Sequence, residues 1–408
     1  MSVLFDSPWP AEDGGPRRLQ RVSGGFIERE GHPLGVVSRA TMMSTMTVLG
    51  APGDVFLLSH DAMRANFGLP TAARVERIDP LTLKAVARSP RLPGGPMWPG
   101  GMAVLGNGDL YVVYGRWVHR LDRDCRVKAA LRLPVNAAYN SFVTLAAGVM
   151  VTKNLSDTVT ARLSVIDPET LTELASADCP EPSIARLSAE GDTVYVVGVT
   201  TIWRFHWDGT ALRRDIAWSW EYLAGSGNSY GWDAVLAAGS AWFMDNGRHR
   251  YRTRMTGAGV SPTPNRLLRV SLSDAGDHDA VTVSGLAGGS ITNPPLVDEV
   301  RGMVVGYDSA NRYLAAWDWD GRHLSPRWQK PDVGCASHML LFGDSGQLVT
   351  NDHGRGGEAL VVIDIESGRT LARAPIGGMM QGVVFPSPGW NGDIYWCSMQ
   401  RLARAFPA

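Results

Sequence analysis

The chain has 408 residues and is nearly neutral, with 39 lysines and arginines against 40 aspartates and glutamates. This balance argues against a nucleic-acid partner or a membrane-surface role, because both favour an excess of basic residues. No run of about eighteen apolar residues is present, and the first residues lack the basic and apolar regions of a secretory signal. The four cysteines are widely spaced and form no CxxC pair, so we expect free thiols and a cytoplasmic protein.

Turn-forming residues are abundant, with 46 glycines and 25 prolines, which favours many short strands over long helices. A hairpin pattern recurs along the chain, in which two short runs of alternating apolar and polar residues flank an acidic turn. Successive turns are 41–46 residues apart, except for a step of 66 between the fourth and the fifth. The turn aspartates, which we interpret as structural, are Asp79, Asp122, Asp167, Asp208, Asp274, Asp320 and Asp364.

Each hairpin follows a strand, a tight turn and a very apolar strand, as in MAVLGNGDLYVVY and ARLSAEGDTVYVVG. The two elements give four strands per unit of about 40–50 residues, which is the period of a β-propeller blade. We therefore predict an all-β fold, a single β-propeller over residues 1–408 with eight blades, seven being the alternative. The last unit has only three strands. We expect the N-terminal segment 1–40 to supply the fourth, with Gly24–Glu30 as the candidate, because closure removes exposed sheet edges.

The hairpins of the IDPxT kind and the second strands of the GxxYVV kind resemble those of quinoprotein-type and other YVTN-like propellers. The resemblance covers most of the chain at the level of repeat architecture. It implies a propeller, and a quinoprotein-like oxidoreductase is one activity that it suggests. The tryptophan-docking repeat of quinoprotein dehydrogenases is not evident in this sequence.

Propeller ligands tend to bind at the mouth of the channel, where second strands end and first strands begin. Five carboxylate and amide side chains at such positions could share a hard cation, Ca²⁺ or Mg²⁺. The alternative is that each one stabilises its own turn, as aspartate and asparagine commonly do. The predicted metal ligands are Asp233, Asp245, Asn293, Asp308 and Asp352.

Catalytic and substrate-binding groups are predicted at the same mouth, because histidine can act as an acid or base near neutral pH and segments unique to one blade are the best candidates for a site. The predicted catalytic residues are His338, His353, Asp245 and Asp352. The predicted substrate-binding residues outside the insertion described next are Tyr230, Trp232, Trp98, Asn246, Tyr307 and Gln381.

Blade five carries an insertion at residues 247–265, which accounts for the long step in the repeat. Its arginines alternate, so an extended segment would place Arg248, Arg250 and Arg252 on one side, over the channel mouth. Forked guanidinium donors suit carboxylate or phosphate, which predicts an anionic ligand beneath this loop. The alternative is an arginine ladder that pairs with aspartates at the rim.

The main functional prediction is an enzyme that acts on a small organic, anionic substrate at the channel mouth, hydrolase- or lyase-like, with or without a metal. The first alternative is a non-catalytic propeller that binds a ligand or a protein. The second alternative is a quinoprotein-like oxidoreductase. The expected partner is a small molecule, and the sequence leaves the oligomeric state open.

Overall fold

The computed structural model describes residues 3–94, 100–247, 263–379, 381–382, 384–398 and 400–408. These residues form eight antiparallel blades in a ring, which confirms the predicted eight-bladed β-propeller. Within this part of the chain, helix is limited to two short 3-10 turns, Glu12–Gly14 and Ala62–Phe67. Neither is long and apolar enough to cross a membrane.

The first four blades follow one another along the chain, and each runs from an inner strand at the channel to an outer strand at the rim. In blade three, one continuous run holds both the second and the third strands. The strands are, in blade one, Ser44–Leu49, Val55–His60, Ala72–Ile78 and Ala85–Arg88, with Leu92–Pro93 beside the third; in blade two, Gly101–Val104, Leu110–Tyr114, Trp117–Leu121 and Val127–Arg132; in blade three, Ala138–Thr144, Met150–Asp167 and Thr172–Ser183; and in blade four, Ser188–Glu190, Thr193–Val197, Ile202–Trp207 and Leu212–Trp220.

Blades five to eight continue the same order, and the last blade is completed by a strand from the beginning of the chain. A short strand, Arg21–Val22, also pairs in parallel with the inner strand of blade seven. The strands are, in blade five, Val235–Ala237, Ser240–Met244, Arg266–Ser271 and His278–Thr282; in blade six, Leu296–Asp298, Met303–Asp308, Tyr313–Trp319 and Leu324–Pro331; in blade seven, Leu340–Phe342, Gln347–Gly354, Gly357–Asp364 and Thr370–Pro375; and in blade eight, Pro386–Pro388, Ile394–Ser398, Arg401–Pro407 and Leu34–Ala40.

Burial explains why the second strands are so apolar. Leu110–Tyr114 and Ser240–Met244 are buried along their whole length, because their two faces pack against the neighbouring blades. The outer strand Val127–Arg132 instead alternates exposed and half-buried residues. The core is therefore divided into layers between blades rather than gathered at one centre.

The ring closes by antiparallel pairing of Leu34–Ala40 with Arg401–Pro407, over seven consecutive residue pairs. The prediction that an N-terminal strand joins the last blade is confirmed, but Gly24–Glu30 is not that strand. The backbone N–H groups of Phe26 and Ile27 both donate to the side-chain oxygen of Gln347, at 2.7 and 2.9 Å, so this stretch is held as a loop against blade seven.

Residues 4–22, which we call the axial segment, cross the end of the channel at which the inner strands terminate. Carbonyl groups of the segment accept hydrogen bonds from inner strands of five blades, through the N–H groups of Leu49, Val104, Ala189, Leu236 and Leu341, at 2.7–2.9 Å. The predicted mouth, where the inner strands begin, is at the opposite end of the channel. The segment therefore covers one end of the channel and ties the ring together from inside.

Closure of the ring predicts that a covalent link across the joining pair stabilises the whole fold. Ala40 lies opposite Arg401 and both are at least partly exposed. The double variant Ala40→Cys with Arg401→Cys should form a disulfide and raise the free energy of unfolding by about 2–4 kcal/mol, because the link closes a very long loop in the unfolded chain. Urea unfolding with and without reductant measures this. Equal stability in both conditions would show that closure at this pair does not limit unfolding.

Candidate functional site

The carboxylates predicted at the channel mouth form hydrogen bonds and ion pairs with neighbouring protein groups. Asp245 is fully buried, accepts the backbone N–H of Arg266 at 2.7 Å and lies 2.6 Å from its guanidinium group. Asn228 donates to the same carboxylate at 3.0 Å. Burial raises the pKa of Asp245 to about 6, although Arg266 and Asn228 oppose the shift. The side chain therefore joins strands within blade five.

The same arrangement recurs in other blades. Asp308 accepts the N–H of Ser290 at 3.1 Å and the hydroxyl of Ser284 at 2.6 Å. Asp352 accepts the N–H of Gly334 at 2.7 Å. Each of these carboxylates ties the end of a second strand to the connection that enters its blade, so we call them carboxylate latches. A carboxylate that makes the same kind of contact in several blades has a structural role.

Asn246 and Asn293 link neighbouring blades instead. The Asn246 amide oxygen accepts the N–H of Ile291 at 2.8 Å, and the Asn293 amide donates to the carbonyl of Ala336. Asp233 lies deeper and contacts Arg186 of blade four. The five residues predicted to share a cation are therefore held apart by separate contacts. Among the described residues, no group of three histidines, cysteines, aspartates or glutamates is placed to hold a metal ion.

The remaining predicted residues are dispersed. His353 is half-exposed and its Nε2 lies 3.1 Å from the carbonyl of Met379, whereas His338 is fully buried at the channel axis. The Tyr307 hydroxyl donates to the carbonyl of Asn293 at 3.0 Å, and Gln381 donates to the carbonyl of Gly334 at 2.9 Å. Trp232 is buried in the core and Tyr230 packs against it. Most of the blade-five insertion and four predicted ligand contacts lie outside the described residues: Trp98, Arg248, Arg250 and Arg252.

Charge is concentrated instead at the axis, on the axial segment. Arg18 is 1% exposed and its two terminal nitrogens lie 2.6 Å from Glu12 and 2.9 Å from Asp13. Its Nε donates to the carbonyl of Leu187 at 2.8 Å. Buried charges are tolerated only when paired and hydrogen-bonded, and all three arginine nitrogens are satisfied here.

Three residues of the channel wall meet these groups. Arg186 of blade four lies 3.4 Å from Asp233 of blade five and 3.6 Å from Glu12. His338 of blade seven lies 2.8 Å from Asp13. The ring of Phe385 stacks on His338 at 3.8 Å and lies beneath the Arg186 guanidinium at 4.6 Å. We refer to these residues, with Lys153, as the axial cluster: Glu12, Asp13, Arg18, Lys153, Arg186, Asp233 and His338.

Burial and pairing act against each other on the pKa values of the cluster. Burial raises the pKa of Glu12, which Arg18 and Arg186 offset only in part. Burial also works to raise the pKa of Asp13, but His338 and Arg18 outweigh it and hold that pKa below its ordinary value. Burial lowers the pKa of His338 despite the nearby Asp13. The ion pair of Arg18 with Asp13 is therefore the most firmly charged part of the cluster.

Lys153 enters the cluster from the end of the second strand of blade three. Its side chain is 2% exposed, and its Nζ donates to the carbonyl of Ser183 at 3.0 Å. No carboxylate of the described residues lies within ion-pairing distance of this nitrogen. Burial, opposed by Cys179 and Asp233 and reinforced by Arg186, lowers the pKa of Lys153 to about 7. A shift of this size is typical of functional sites, although buried structural networks also produce it.

Several polar atoms at the axis lack a hydrogen-bond partner among the described residues. They include three nitrogens or hydroxyls able to donate and two acceptors, a carboxylate oxygen of Glu12 and Nε2 of His338. An unpaired buried polar atom costs about 1–3 kcal/mol, so such groups commonly mark a bound ligand or water. The donors are the Asn140 amide, Arg186 Nε and the Ser337 hydroxyl, and Arg186 Nε faces the unpaired Glu12 oxygen at 3.6 Å, which is too far for a hydrogen bond.

Sequence reasoning did not single out the residues that build this cluster, apart from His338 and Asp233. The sequence predicts only a closing strand from the N-terminal segment 1–40, and it gives no sign that Glu12, Asp13 and Arg18 lie at the axis. One signal was available for Lys153. The chain has only four lysines among its 39 basic residues, and this one ends a strand that is otherwise apolar.

Comparison with known proteins supports the fold. No family model and no curated protein matches the sequence. The quinohemoprotein alcohol dehydrogenase ADHIIG of Pseudomonas putida matches with a TM-score of 0.65 at 8% identity, over 99% of this chain and 80% of that one. A europium-containing methanol dehydrogenase gives 0.63 at 10% identity, over 96% and 89%. BamB from Moraxella catarrhalis gives 0.59 at 11% identity, over 92% and 98%.

At these identities the likeness shows the fold alone, and it confirms the resemblance to quinoprotein-type propellers at the level of architecture. The prediction of a hydrolase- or lyase-like enzyme is wrong by the same comparison. Two of the similar structures are dehydrogenases, which are oxidoreductases, so the comparison agrees better with the second alternative. The predicted metal ligands also make separate contacts of their own, so they do not form the shared site that metal-assisted cleavage requires.

The latch interpretation predicts a loss of stability when Asp308 is truncated. Asp308→Ala should lower the free energy of unfolding by about 2–4 kcal/mol, because the N–H of Ser290 and the hydroxyl of Ser284 lose their buried acceptor. Asp320→Ala is the matched control, since Asp320 accepts the N–H groups of Arg322 and His323 in an exposed turn where water can replace it, and it should lower the urea midpoint much less. If both variants unfold at the wild-type midpoint, Asp308 is not a latch.

Proposed function

We propose that this propeller binds a small, oxygen-rich carboxylate ligand at the axial cluster, and that the ligand enters from the end of the channel opposite the axial segment. The observation that carries the proposal is the set of unpaired, fully buried donors on the channel wall. Asn140, Arg186 and Ser337 are 2%, 4% and 0% exposed, and each presents an unpaired donor. Such donors bind a ligand with acceptor oxygens and do not bind a cation.

The residues come from different blades and lie at or just before the inner strands that line the channel. Asn140 is in the first half of the inner strand of blade three, Arg186 precedes that of blade four, and Ser337 precedes that of blade seven. One carboxylate oxygen of Glu12 lies near both Arg186 and the Asn140 backbone. It is 3.6 Å from Arg186 Nε, and a Cβ placed on Gly101 would contact both this oxygen and the carbonyl of Asn140. A carboxylate can accept several hydrogen bonds at once, which suits donors that approach from several sides.

The charges of the cluster also favour a ligand that binds as an anion together with a proton, which Lys153 can accept. Arg18 and Arg186 are opposed by Asp13, Asp233 and Glu12, whose pKa burial raises, while burial favours the neutral amine of Lys153. A bound carboxylate would favour the charged ammonium form of Lys153 and so gain a counter-ion at the moment of binding. The cluster can therefore accept an anion without a permanent excess of positive charge.

This proposal corresponds to the first alternative drawn from the sequence, a propeller that binds a ligand. Calcium and magnesium are not part of it, since the acceptor oxygens that either would need are already bonded to arginines and backbone N–H groups. A lid role for Arg248, Arg250 and Arg252 stays a prediction. A cytoplasmic location also stays a proposal, and it is supported by four buried, free cysteines.

A quinoprotein-like oxidoreductase is the second candidate, because two similar structures are dehydrogenases. The residues present fit a quinone cofactor poorly. A planar quinone would need a free aromatic or apolar face, but the ring of Phe385 is already covered by His338 at 3.8 Å and by the Arg186 guanidinium at 4.6 Å. Addition of a quinone cofactor and an alcohol, with reduction of a dye as readout, tests this candidate. Activity that survives removal of Arg186 would favour it over ligand binding at the cluster.

The unpaired donors give a test that separates binding from folding. Ser337→Ala removes a hydroxyl without a partner, so the free protein should be as stable as the wild type or more so. The same change should weaken binding of oxalate, followed by calorimetry, about tenfold, the loss of one hydrogen bond to a charged group.

The matched control is Ser309→Ala, because the hydroxyl of Ser309 is equally buried but donates to the carbonyl of Cys335 at 2.9 Å. This variant should lose stability and keep its affinity for oxalate. Equal affinity of Ser337→Ala and wild type would exclude the hydroxyl as a ligand contact, and failure of the wild type to bind oxalate, malonate or succinate would exclude the proposal.

Binding should also depend on pH through Lys153. The pKa of this amine is lowered to about 7 in the free protein, and a bound carboxylate raises it, so binding takes up a proton above that pH. Affinity should be highest below about pH 7 and fall by up to about tenfold per pH unit above it. Titrations in two buffers of different ionisation enthalpy measure the proton uptake. Lys153→Met should bind more weakly, without this dependence; an unchanged pH profile in that variant would exclude Lys153 as the titrating group.

A further inference from the structure

Lys153 differs from every other lysine of the chain. Lys84 and Lys128 are exposed, and Lys330 is partly exposed. Lys128 is also paired with Asp109 at 2.6 Å. The amine of Lys153 is instead buried, and its hydrogen bond goes to a neutral carbonyl, that of Ser183. A buried ammonium without an adjacent carboxylate is unfavourable, so this position selects the neutral amine.

A neutral amine is a nucleophile, and burial is the main cause that favours it here. Arg186 adds to the lowering of the Lys153 pKa, against larger opposing effects of Cys179 and Asp233. Burial and a cationic neighbour are the means by which enzymes prepare lysines for reaction with carbonyl compounds. The strand pairing places Lys153 beside the bulge at Asn140 and Ser141, since Tyr139 pairs with Asn154 and Phe142 with Thr152. The unpaired amide of Asn140 thus lies on the neighbouring strand.

We propose that Lys153 Nζ forms an imine with the carbonyl carbon of a small 2-oxo acid whose carboxylate is held by Arg186 and Asn140. The inference rests on the proposed function and names the ligand class of the same site. In the step, the nitrogen lone pair forms a bond to the carbonyl carbon, and the carbonyl oxygen leaves as water with both amine protons. No oxidant or reductant is consumed.

The 2-oxo acids fit because they carry both groups that the cluster can address. Their carboxylate provides acceptor oxygens for the unpaired Arg186 and Asn140 donors, and their carbonyl lies on the adjacent carbon. Protonation of the imine nitrogen then places a positive charge near the bound carboxylate and Asp233. A simple aldehyde would leave the unpaired donors unsatisfied, and a dicarboxylate such as oxalate would bind without a covalent bond.

Trapping in the full-length protein tests the inference. Glyoxylate, the smallest 2-oxo acid, is added with sodium cyanoborohydride at neutral pH, where hydride from the reagent converts an imine into a stable carboxymethyl-lysine. Peptide mass mapping then compares Lys153 with Lys84, Lys128 and Lys330. We expect modification of Lys153 to exceed that of Lys84 by about tenfold or more at short times, because burial favours the neutral, nucleophilic amine at Lys153. Oxalate in excess should suppress the modification of Lys153 alone.

Lys153→Met is the matched variant, which keeps a neutral side chain of similar length without the amine, and it should abolish the rapid modification while slow modification of the other lysines continues. Because mapping is done on the wild-type protein, the test does not depend on folding of the variant. Modification that is no faster at Lys153 than at Lys84 would overturn the inference. If oxalate still binds at the cluster in that case, the proposed function stands without the imine; if neither oxalate binding nor trapping is seen, both fail.

Discussion

The arrangement of the site depends on one buried residue, Arg18. By pairing with both Glu12 and Asp13 and with the carbonyl of Leu187, it fixes the axial segment across the channel. It contacts one oxygen of each carboxylate, and the other two oxygens face Arg186 and His338 of the channel wall. Asn140 and Ser337 are left without protein acceptors among the described residues. A closed channel end and a set of unpaired donors thus lie together at the same ion-pair network.

Closure of the ring explains why this ion-pair network lies at the channel axis. Leu34–Ala40 completes blade eight, so the chain that precedes Leu34 is joined to the ring at this point. It must run either away from the molecule or into the channel. The parallel pairing of Arg21–Val22 with blade seven directs them inward. The axial segment is therefore both a brace, through its contacts with five inner strands, and one wall of the site. Changes that loosen the brace should alter the site as well, although the two are far apart in the sequence.

The fold could be predicted from the sequence because each blade repeats the same local pattern, from Asp79 to Asp364, and a local pattern specifies a blade without knowledge of its neighbours. The site could not be predicted in this way. Asp245, Asp308 and Asp352 stand at the expected mouth positions, but they follow the repeat and bind their own blades. Only contacts between segments more than a hundred residues apart, such as Asp13 with His338, show where charge is gathered. Such contacts leave no trace in the spacing of residues along one chain.

The proteins with similar rings include dehydrogenases and BamB, so the ring itself does not specify an activity. What specifies it is the content of the axis, and here the content is a compact set of charges with several unpaired donors. The most direct measurement is a crystal structure of the protein soaked with oxalate. The account predicts one oxalate at the axis, within hydrogen-bonding distance of Arg186, Asn140 and Ser337. An axis that holds only water at saturating oxalate, or oxalate bound elsewhere on the propeller, would contradict it.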